Sequence, residues 1–229
     1  STGPYWKPVV NLLEGSGVEA IVVNAAHIKA VPGRKTDIND AQWIAELLRH
    51  GLLRGSFIPD REQRELRELV RYRRSLINER SREINRLQKV LEGANIKLAS
   101  VATDLLGKSG RAMLESLIAG QHDVEALANL ARGRLKSKRA ELIRAMDGLM
   151  GPHQRFMLAE QLRHIDTINE SVSRLDAEIE RRMRPFEARL LALDEVTGIG
   201  RRGAEELIAE IGVDMSRFPT HRHIASWAK

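Results

Sequence analysis

The sequence predicts a mostly α-helical protein, and three observations support this prediction. Aromatic residues make up 4% of the 229 residues and charged residues 30%, a balance typical of long, solvent-lined helices rather than of a thick sheet sandwich. Apolar residues recur every seven positions in two long segments, which predicts helices packed along one stripe. Glycine-rich breaks divide the chain between these segments into shorter helical pieces.

The sequence up to residue 55 is the part that indicates a sheet. Trp6–Glu14 is predicted to be a helix, and the apolar, β-branched run Ala20–Val23 is typical of a buried strand. A second helix is expected from about Ile38 to His50, ended by Gly51. One strand between two helices cannot form a sheet, so this segment has the pattern of the end of a larger α/β domain.

A linker at 56–60 leads into a long helix predicted from about Arg61 to Gly93. Arg73 and Arg80 interrupt its second apolar row. Residues 61–91 hold ten Arg or Lys against five Glu, and this excess favours phosphate contact over a merely solvated face. The first apolar row consists of Val70, Ile77, Ile84 and Leu91.

A second long helix is predicted from about Pro152 to Arg184. Between the two, residues 98–150 have the pattern of three short helices with breaks at 107–110, 120–123 and 133–137. The Gly-Lys-Ser-Gly at 107–110 lacks the spacing of a phosphate-binding loop and is interpreted as a turn. The two long helices are expected to fold back as an antiparallel arm. The apolar rows of the second helix are Leu158, Ile165, Val172 and Ile179, and Leu162, Ile168, Leu175 and Met183.

The segment 193–212 has the pattern of a helix-hairpin-helix module. Gly198 and Gly200 permit a tight turn with exposed backbone amides, and a helix follows. A helix N-terminus is a site for anions, and Arg201 and Arg202 add charge beside it. Backbone phosphate binding and a connector that binds nothing are both compatible with this pattern.

Asp37 and Asp40 lie where a loop enters a helix. Residues three apart share one helical face, so both carboxylates could hold one Mg²⁺, which usually takes one or two carboxylates plus waters. The alternative is helix capping, with Asp37 as N-cap and Asp40 as an acid of the first turn.

Composition excludes several classes of function. The chain has no cysteine, so it has no disulfides or thiolate metal sites, and a reducing, cytoplasmic setting is expected. No apolar run approaches the roughly 20 residues of a membrane span, and the start does not resemble a signal peptide. The seven histidines lack H-E-x-x-H spacing. A net charge of +6 and a pI near 9.9 favour an anionic partner such as nucleic acid.

In combination, several segments resemble the IS110 (IS-one-ten) family of insertion-sequence transposases, also described as bridge-RNA-guided DNA recombinases. The resemblance covers essentially the whole chain. Its segments are Ser1-Thr2-Gly3, Tyr5-Trp6, Val23-Asn24-Ala25, Lys35 to Ala41, Leu47 to Leu53, Ile58-Pro59, Asn85-Arg86-Leu87, Gly198-Ile199-Gly200, Phe218-Pro219 and Ala225 to Ala228.

The resemblance implies three parts: a RuvC-like domain with four acidic Mg²⁺ ligands, a coiled-coil arm, and a transposase domain with a nucleophilic serine. They would correspond to 1–55, to 56–190 with its insert at about 98–150, and to 191–229. Asp37 and Asp40 match the last two acids. The other acids and the serine would lie outside these residues, and Ser226 is interpreted as a helix residue. We therefore expect a fragment, truncated at both ends, that binds nucleic acid without catalysis.

The implied partners are DNA, a structured guide RNA and further copies of the chain, with no membrane. We expect nucleic-acid contacts from the residues Arg73, Arg80, Arg86, Gly198, Gly200, Arg201 and Arg202. Two alternatives remain open. One is a non-catalytic remnant that only holds nucleic acid, and the other is a coiled-coil scaffold with no such role.

Overall fold

The prediction of a mostly α-helical protein is confirmed. The computed structural model describes residues 5–24, 28, 37–53 and 55–227, with the backbone alone at 37–40 and 226–227. Its α-helices are α1 (Trp6–Glu14), α2 (Asp37–Arg49), α3 (Arg61–Gly93), α4 (Leu98–Val101), α5 (Lys108–Ile118), α6 (Val124–Ala128), α7 (Arg139–Met146), α8 (Pro152–Met183), α9 (Glu187–Asp194), α10 (Arg201–Ile211) and α11 (His221–Trp227), with 3-10 helices at Gly133–Lys138, Arg184–Phe186 and Met215–Arg217.

The chain divides into two compact units, one formed by residues 1–67 and 207–229 and the other by residues 68–206. In the first unit, Arg64 is buried and its guanidinium holds several segments together. Nη1 and Nη2 donate to the two carboxylate oxygens of Glu14 at 2.8 and 2.7 Å, and Nη2 also donates to Asn11 at 2.7 Å. Nη1 donates further to the Pro59 carbonyl. The hydrogen bond from Arg64 lowers the pKa of Glu14.

Within the same unit, residues of the segment 207–229 contact residues of the segment 1–67. Arg67 donates to the Glu210 carbonyl at 2.6 Å and pairs with the Glu210 carboxylate at 3.2 Å. The Arg217 guanidinium lies 4.6 Å from the centre of the Phe57 ring, a cation–π contact. Residues far apart in sequence therefore form one unit.

The predicted strand at Ala20–Val23 was wrong. Among the described residues, this run forms one isolated antiparallel bridge, between Val23 and Gly55, and Ser56 N–H donates to the Val22 carbonyl. A strand needs a neighbour that satisfies its backbone groups along its length. Ile21 is 48% exposed, so the run also lacks the burial that its composition predicted.

The core of the second unit joins the long helices to the insert. Leu87 and Leu91 of α3, Leu114 of α5, Leu142 of α7 and Leu158 of α8 belong to one buried cluster. Each is at most 1% exposed. Burial of apolar area at about 25 cal/mol per Å² makes such a cluster the main source of stability in this unit.

Side-chain pairs link α3 to α8. Glu79 contacts His164 at 3.3 Å, and Arg73 contacts Asp176 at 3.0 Å. Because the earlier residue on α3 pairs with the later residue on α8, the helices run in opposite directions, as an antiparallel arm requires. The heptad residues Leu158, Ile165 and others of α8 are buried; the coiled coil itself stays a prediction.

The insert has more elements than the sequence predicted. Residues 98–150 contain four α-helices and a 3-10 helix, where three short helices were expected. The expected break at 133–137 is itself the 3-10 helix, and the break at 107–110 contains the start of α5. A Cβ at Gly110 would lie 2.4 Å from the Leu105 carbonyl oxygen, so close backbone approach requires this glycine.

We expect a pH-dependent contribution to stability from Asp166 of α8. Its carboxylate accepts two hydrogen bonds from Arg111 of α5, at 2.6 and 2.8 Å, and they lower its pKa below the usual 3.8. A lowered carboxyl pKa stabilises the fold above the unfolded-state pKa, and this stability is lost as pH falls through the folded-state pKa. Asp166→Asn should cost about 1 kcal/mol at pH 7. In urea unfolding, the difference from wild type should begin to shrink as pH falls toward 3.8 and should vanish only below the lower folded-state pKa.

Asp147→Asn is the control, because Asp147 is exposed and has no ion-pair partner among the described residues. It should leave the free energy of unfolding unchanged within about 0.5 kcal/mol. An Asp166→Asn difference that persisted undiminished in acid would contradict the assignment.

Candidate nucleic-acid interface

The turn before α10 has the geometry that its glycines predicted. Gly198 has a φ of +92°, a conformation that side chains disfavour. Ile199 N–H donates to the Val196 carbonyl at 2.9 Å, and the Gly200 carbonyl accepts from Ala204. Gly200 is therefore the residue before the helix, and the first amides of α10, beginning at Arg201, have no partner within the helix.

A cavity of about 340 Å³ lies beside this helix start, and the lining side chains are Arg73, Asp176, Glu180, Arg201, Arg202 and Glu205. Arg73 is its most buried cation, at 2% exposure. Its Nη1 donates to Glu205 at 2.6 Å and to Asp176 at 3.0 Å. Its Nη2 is buried without a hydrogen-bond partner among the described residues. Three arginines and three carboxylates leave the cavity without formal net charge.

Arg201 and Arg202 are more accessible than Arg73, with side chains 43% and 56% exposed. Arg201 donates to both carboxylate oxygens of Glu187, at 2.9 and 3.1 Å, and Arg202 donates to Asp176 at 2.9 Å. The hydrogen bond from Arg201 lowers the pKa of Glu187. Solvent screens exposed pairs of this kind, so exchanging a carboxylate for a phosphate costs little at either arginine.

The two other arginines of α3 that were predicted to contact nucleic acid have different surroundings. Arg86 is exposed and donates to Glu83 at 2.6 Å. Arg80 is partly buried, and its Nε has no hydrogen-bond partner among the described residues. The structure therefore brings Arg73, Arg201 and Arg202 together at one cavity but does not add Arg80 or Arg86 to it.

Asp37 and Asp40 lie in the first turn of α2, which begins at Asp37. Their backbones are thus one helical turn apart, as predicted, and their side chains lie outside the described residues. The described part of the chain contains no group of three or more His, Asp or Glu residues that could hold a metal ion. The Mg²⁺ assignment stays a prediction.

The acidic residues of this interface were not predicted from the sequence. Asp176 and Glu205 neutralise Arg73, and Glu187 binds Arg201. Each acid belongs to an ordinary charged helix, and no spacing in the sequence connects it to its arginine. One signal was available, since Glu205 lies four residues after Arg201 and the two are 3.5 Å apart.

Two family models match the chain at its two ends. A transposase model for DEDD-type IS110 proteins matches residues 1–96, and the model of the transposase IS116/IS110/IS902 family matches residues 191–228. Neither covers residues 97–190. Comparison with curated proteins and with solved structures gives no match.

These matches identify the class of the protein as a transposase. The chain belongs to the IS110 family of transposases. This family implies DNA binding, and its DEDD domain typically uses a divalent metal. In the described part of the chain, no helix is long and apolar enough to cross a membrane.

Proposed function

We propose that this chain takes part in RNA-guided, Mg²⁺-dependent DNA recombination and that it contacts DNA backbone at the start of α10. The observation that carries the DNA contact is the exposed pair Arg201 and Arg202 beside the free amides of that helix, within residues 191–228 that match a transposase model. Phosphate contacts of this kind position DNA without reading its sequence.

Arg73 has a different role in this proposal. It lies almost fully buried between Glu205 and Asp176, so it would have to leave both carboxylates to reach a phosphate. Breaking a buried ion pair costs several kcal/mol. Arg73 instead holds Asp176 and Glu205 near the two exposed arginines.

The metal centre of the proposal contains Asp37 and Asp40. Their carboxylates are hard oxygen ligands one helical turn apart in sequence, which fits the needs of Mg²⁺. When bound, Mg²⁺ would stabilise charge on a reacting phosphate or activate a hydroxyl. Two carboxylates alone bind this ion weakly, so in the proposed enzyme further acids complete the site, and this chain alone binds nucleic acid without cleaving it.

The guide RNA, the serine nucleophile and the assembly of several copies come from the family resemblance. A recombinase handles two DNA duplexes at once, which favours a homo-oligomer. A coiled-coil scaffold is the competing proposal, supported by the two apolar helical rows of α3 and α8, and it predicts no affinity for nucleic acid.

The test is binding of the 229-residue chain to mixed-sequence duplex DNA over a salt series from about 50 to 200 mM. The double variant Arg201→Gln/Arg202→Gln should reduce the slope of log affinity against log salt by about two. Glu187→Gln should strengthen binding about threefold, because it releases Arg201 from its carboxylate partner. Fluorescence anisotropy measures both effects.

Arg181→Gln is the matched control, since Arg181 is an exposed, carboxylate-paired arginine of α8 and should leave the slope unchanged. An unchanged slope in the double variant would contradict the proposed DNA contact at the start of α10. Failure of the wild-type chain to bind any duplex DNA or structured RNA at low salt would favour the scaffold. Cleavage of DNA by this chain with Mg²⁺ would contradict its proposed inactivity.

A further inference from the structure

The insert contains a second cationic surface, whose residues are not among the nucleic-acid contacts predicted from the sequence. Residues 132–144 hold six Arg or Lys and one Glu. All six basic side chains are exposed. We name them the insert basic surface: Arg132, Arg134, Lys136, Lys138, Arg139 and Arg144. Neither matching family model includes this segment.

The backbone of this surface is firmly anchored. Arg132 N–H donates to the Ser109 hydroxyl at 2.8 Å, and Gly133, with a φ of +57°, turns the chain into the 3-10 helix. Leu135 packs against the buried cluster, and Leu142 of α7 is 0% exposed within it. The charges are therefore presented by an ordered element whose apolar side is fixed, so binding would order little additional chain.

This surface differs from the arginines of α3 in how many of its cations pair with a carboxylate. Arg139 pairs with Glu125 at 3.2 Å. The other five have no carboxylate partner among the described residues, and the acid of the segment, Glu141, is also unpaired. By contrast, most arginines of α3 bind carboxylates, as at Arg61, Arg64, Arg67, Arg73, Arg74 and Arg86.

We propose that the insert basic surface binds the phosphate backbone of duplex DNA. An unpaired, exposed cation can neutralise a phosphate and release its counterion without first losing a protein partner. The segment extends over at most about 20 Å, from the rise of its two helical elements, and so can meet several phosphates. It contains no aromatic residue, whereas binding of single strands relies on stacking of bases on aromatic side chains.

This inference rests on the proposed function for its choice of DNA, but it adds a contact region outside the matched segments. It predicts that DNA passes along the insert as well as the start of α10. The two surfaces should then contribute separately to the salt dependence of binding.

The test compares two quadruple variants of the 229-residue chain, each lowering the net charge by four. The patch variant is Arg132→Gln, Arg134→Gln, Lys136→Gln and Lys138→Gln. The control variant is Arg163→Gln, Arg174→Gln, Arg181→Gln and Arg189→Gln, all exposed and outside this surface. Binding to a mixed-sequence DNA duplex is followed by anisotropy over the same salt range.

The patch variant should bind at least tenfold more weakly at about 100 mM salt, with a slope reduced by about 3 to 4, while the control variant changes the slope by at most about one. Thermal unfolding should be alike for both variants and wild type. An unchanged slope in the patch variant, or an equal loss in the control, overturns the inference and leaves the α10 contact intact.

A parallel titration uses a structured RNA of equal length. If the patch variant loses affinity for the RNA alone, the choice of duplex DNA is overturned. No binding of wild type to either nucleic acid overturns both this inference and the proposed function.

Discussion

Arg73→Met should lower the free energy of unfolding by about 3 kcal/mol, because it leaves Glu205 without its closest buried partner. Methionine retains most of the side-chain volume, so the loss reports charge rather than a cavity. Arg201 Nε remains 3.5 Å from Glu205, which places the effect at the lower end of the about 3–5 kcal/mol range for broken buried pairs. Urea unfolding followed by far-UV circular dichroism measures it.

The double variant Arg73→Met/Glu205→Leu should recover most of this loss, since replacing both members of a buried pair is often neutral. Arg74→Met is the matched control. Arg74 is the next residue along and pairs with Glu206 at 3.3 Å with its side chain 68% exposed, so its replacement should cost less than about 1 kcal/mol. Equal losses at Arg73 and Arg74 would show that burial of the pair is unimportant.

Gly148→Ala should destabilise the second unit by about 3 kcal/mol, the upper part of the range for overpacking. A Cβ at Gly148 would lie 2.3 Å from the Ala94 carbonyl oxygen and 2.7 Å from Ile96 Cγ1. That backbone cannot move freely, because the Ala94 carbonyl accepts from Leu149 N–H at 2.9 Å. The loss is measured as a lower midpoint of urea unfolding, with an unchanged slope of the unfolding free energy against urea concentration.

Gly93→Ala is the control for this substitution. Gly93 ends α3, and a Cβ there would meet nothing within 4 Å. Alanine favours the helical conformation over glycine, so this variant should be neutral or more stable by up to about 1 kcal/mol. If Gly148→Ala proved as harmless as Gly93→Ala, the close contact between residue 148 and the end of α3 would be wrong.

The long helices could be predicted from the sequence nearly to the residue. Trp6–Glu14 and Arg61–Gly93 have the predicted limits, and α8 ends one residue before the predicted Arg184. Local signals are strong here: glycines end α1 and α3, and Pro152 begins α8 at a position where its missing N–H costs nothing. The repeated apolar residues then identify the face that the helix buries.

The short elements could not be predicted in the same way. The run Ala20–Val23 has strand composition, but it forms one bridge because strand structure depends on a neighbour that composition does not supply. The insert likewise contains four α-helices where three were expected. Its shortest helices, α4 and α6, have four and five residues, lengths at which packing rather than periodicity decides the structure.

The candidate interface was predicted in part. The turn at Gly198 and the helix start at Arg201 follow from local sequence, and the structure agrees with both. Local sequence does not show which of these charges are paired within the protein. Arg73 was nominated for nucleic acid, yet its carboxylate partners lie 103 and 132 residues away along the chain.

The sequence by itself determined the transposase family, the long helices and the total of positive charge. Only the tertiary structure decided which positive charges are neutralised within the protein and which face solvent. Counting Arg and Lys made α3 the expected nucleic-acid surface, whereas five of the six cations of residues 132–144 have no carboxylate partner among the described residues. The physical reason is that ion pairs form between side chains within about 4 Å in space, whereas the chain order specifies neighbours only along one helix.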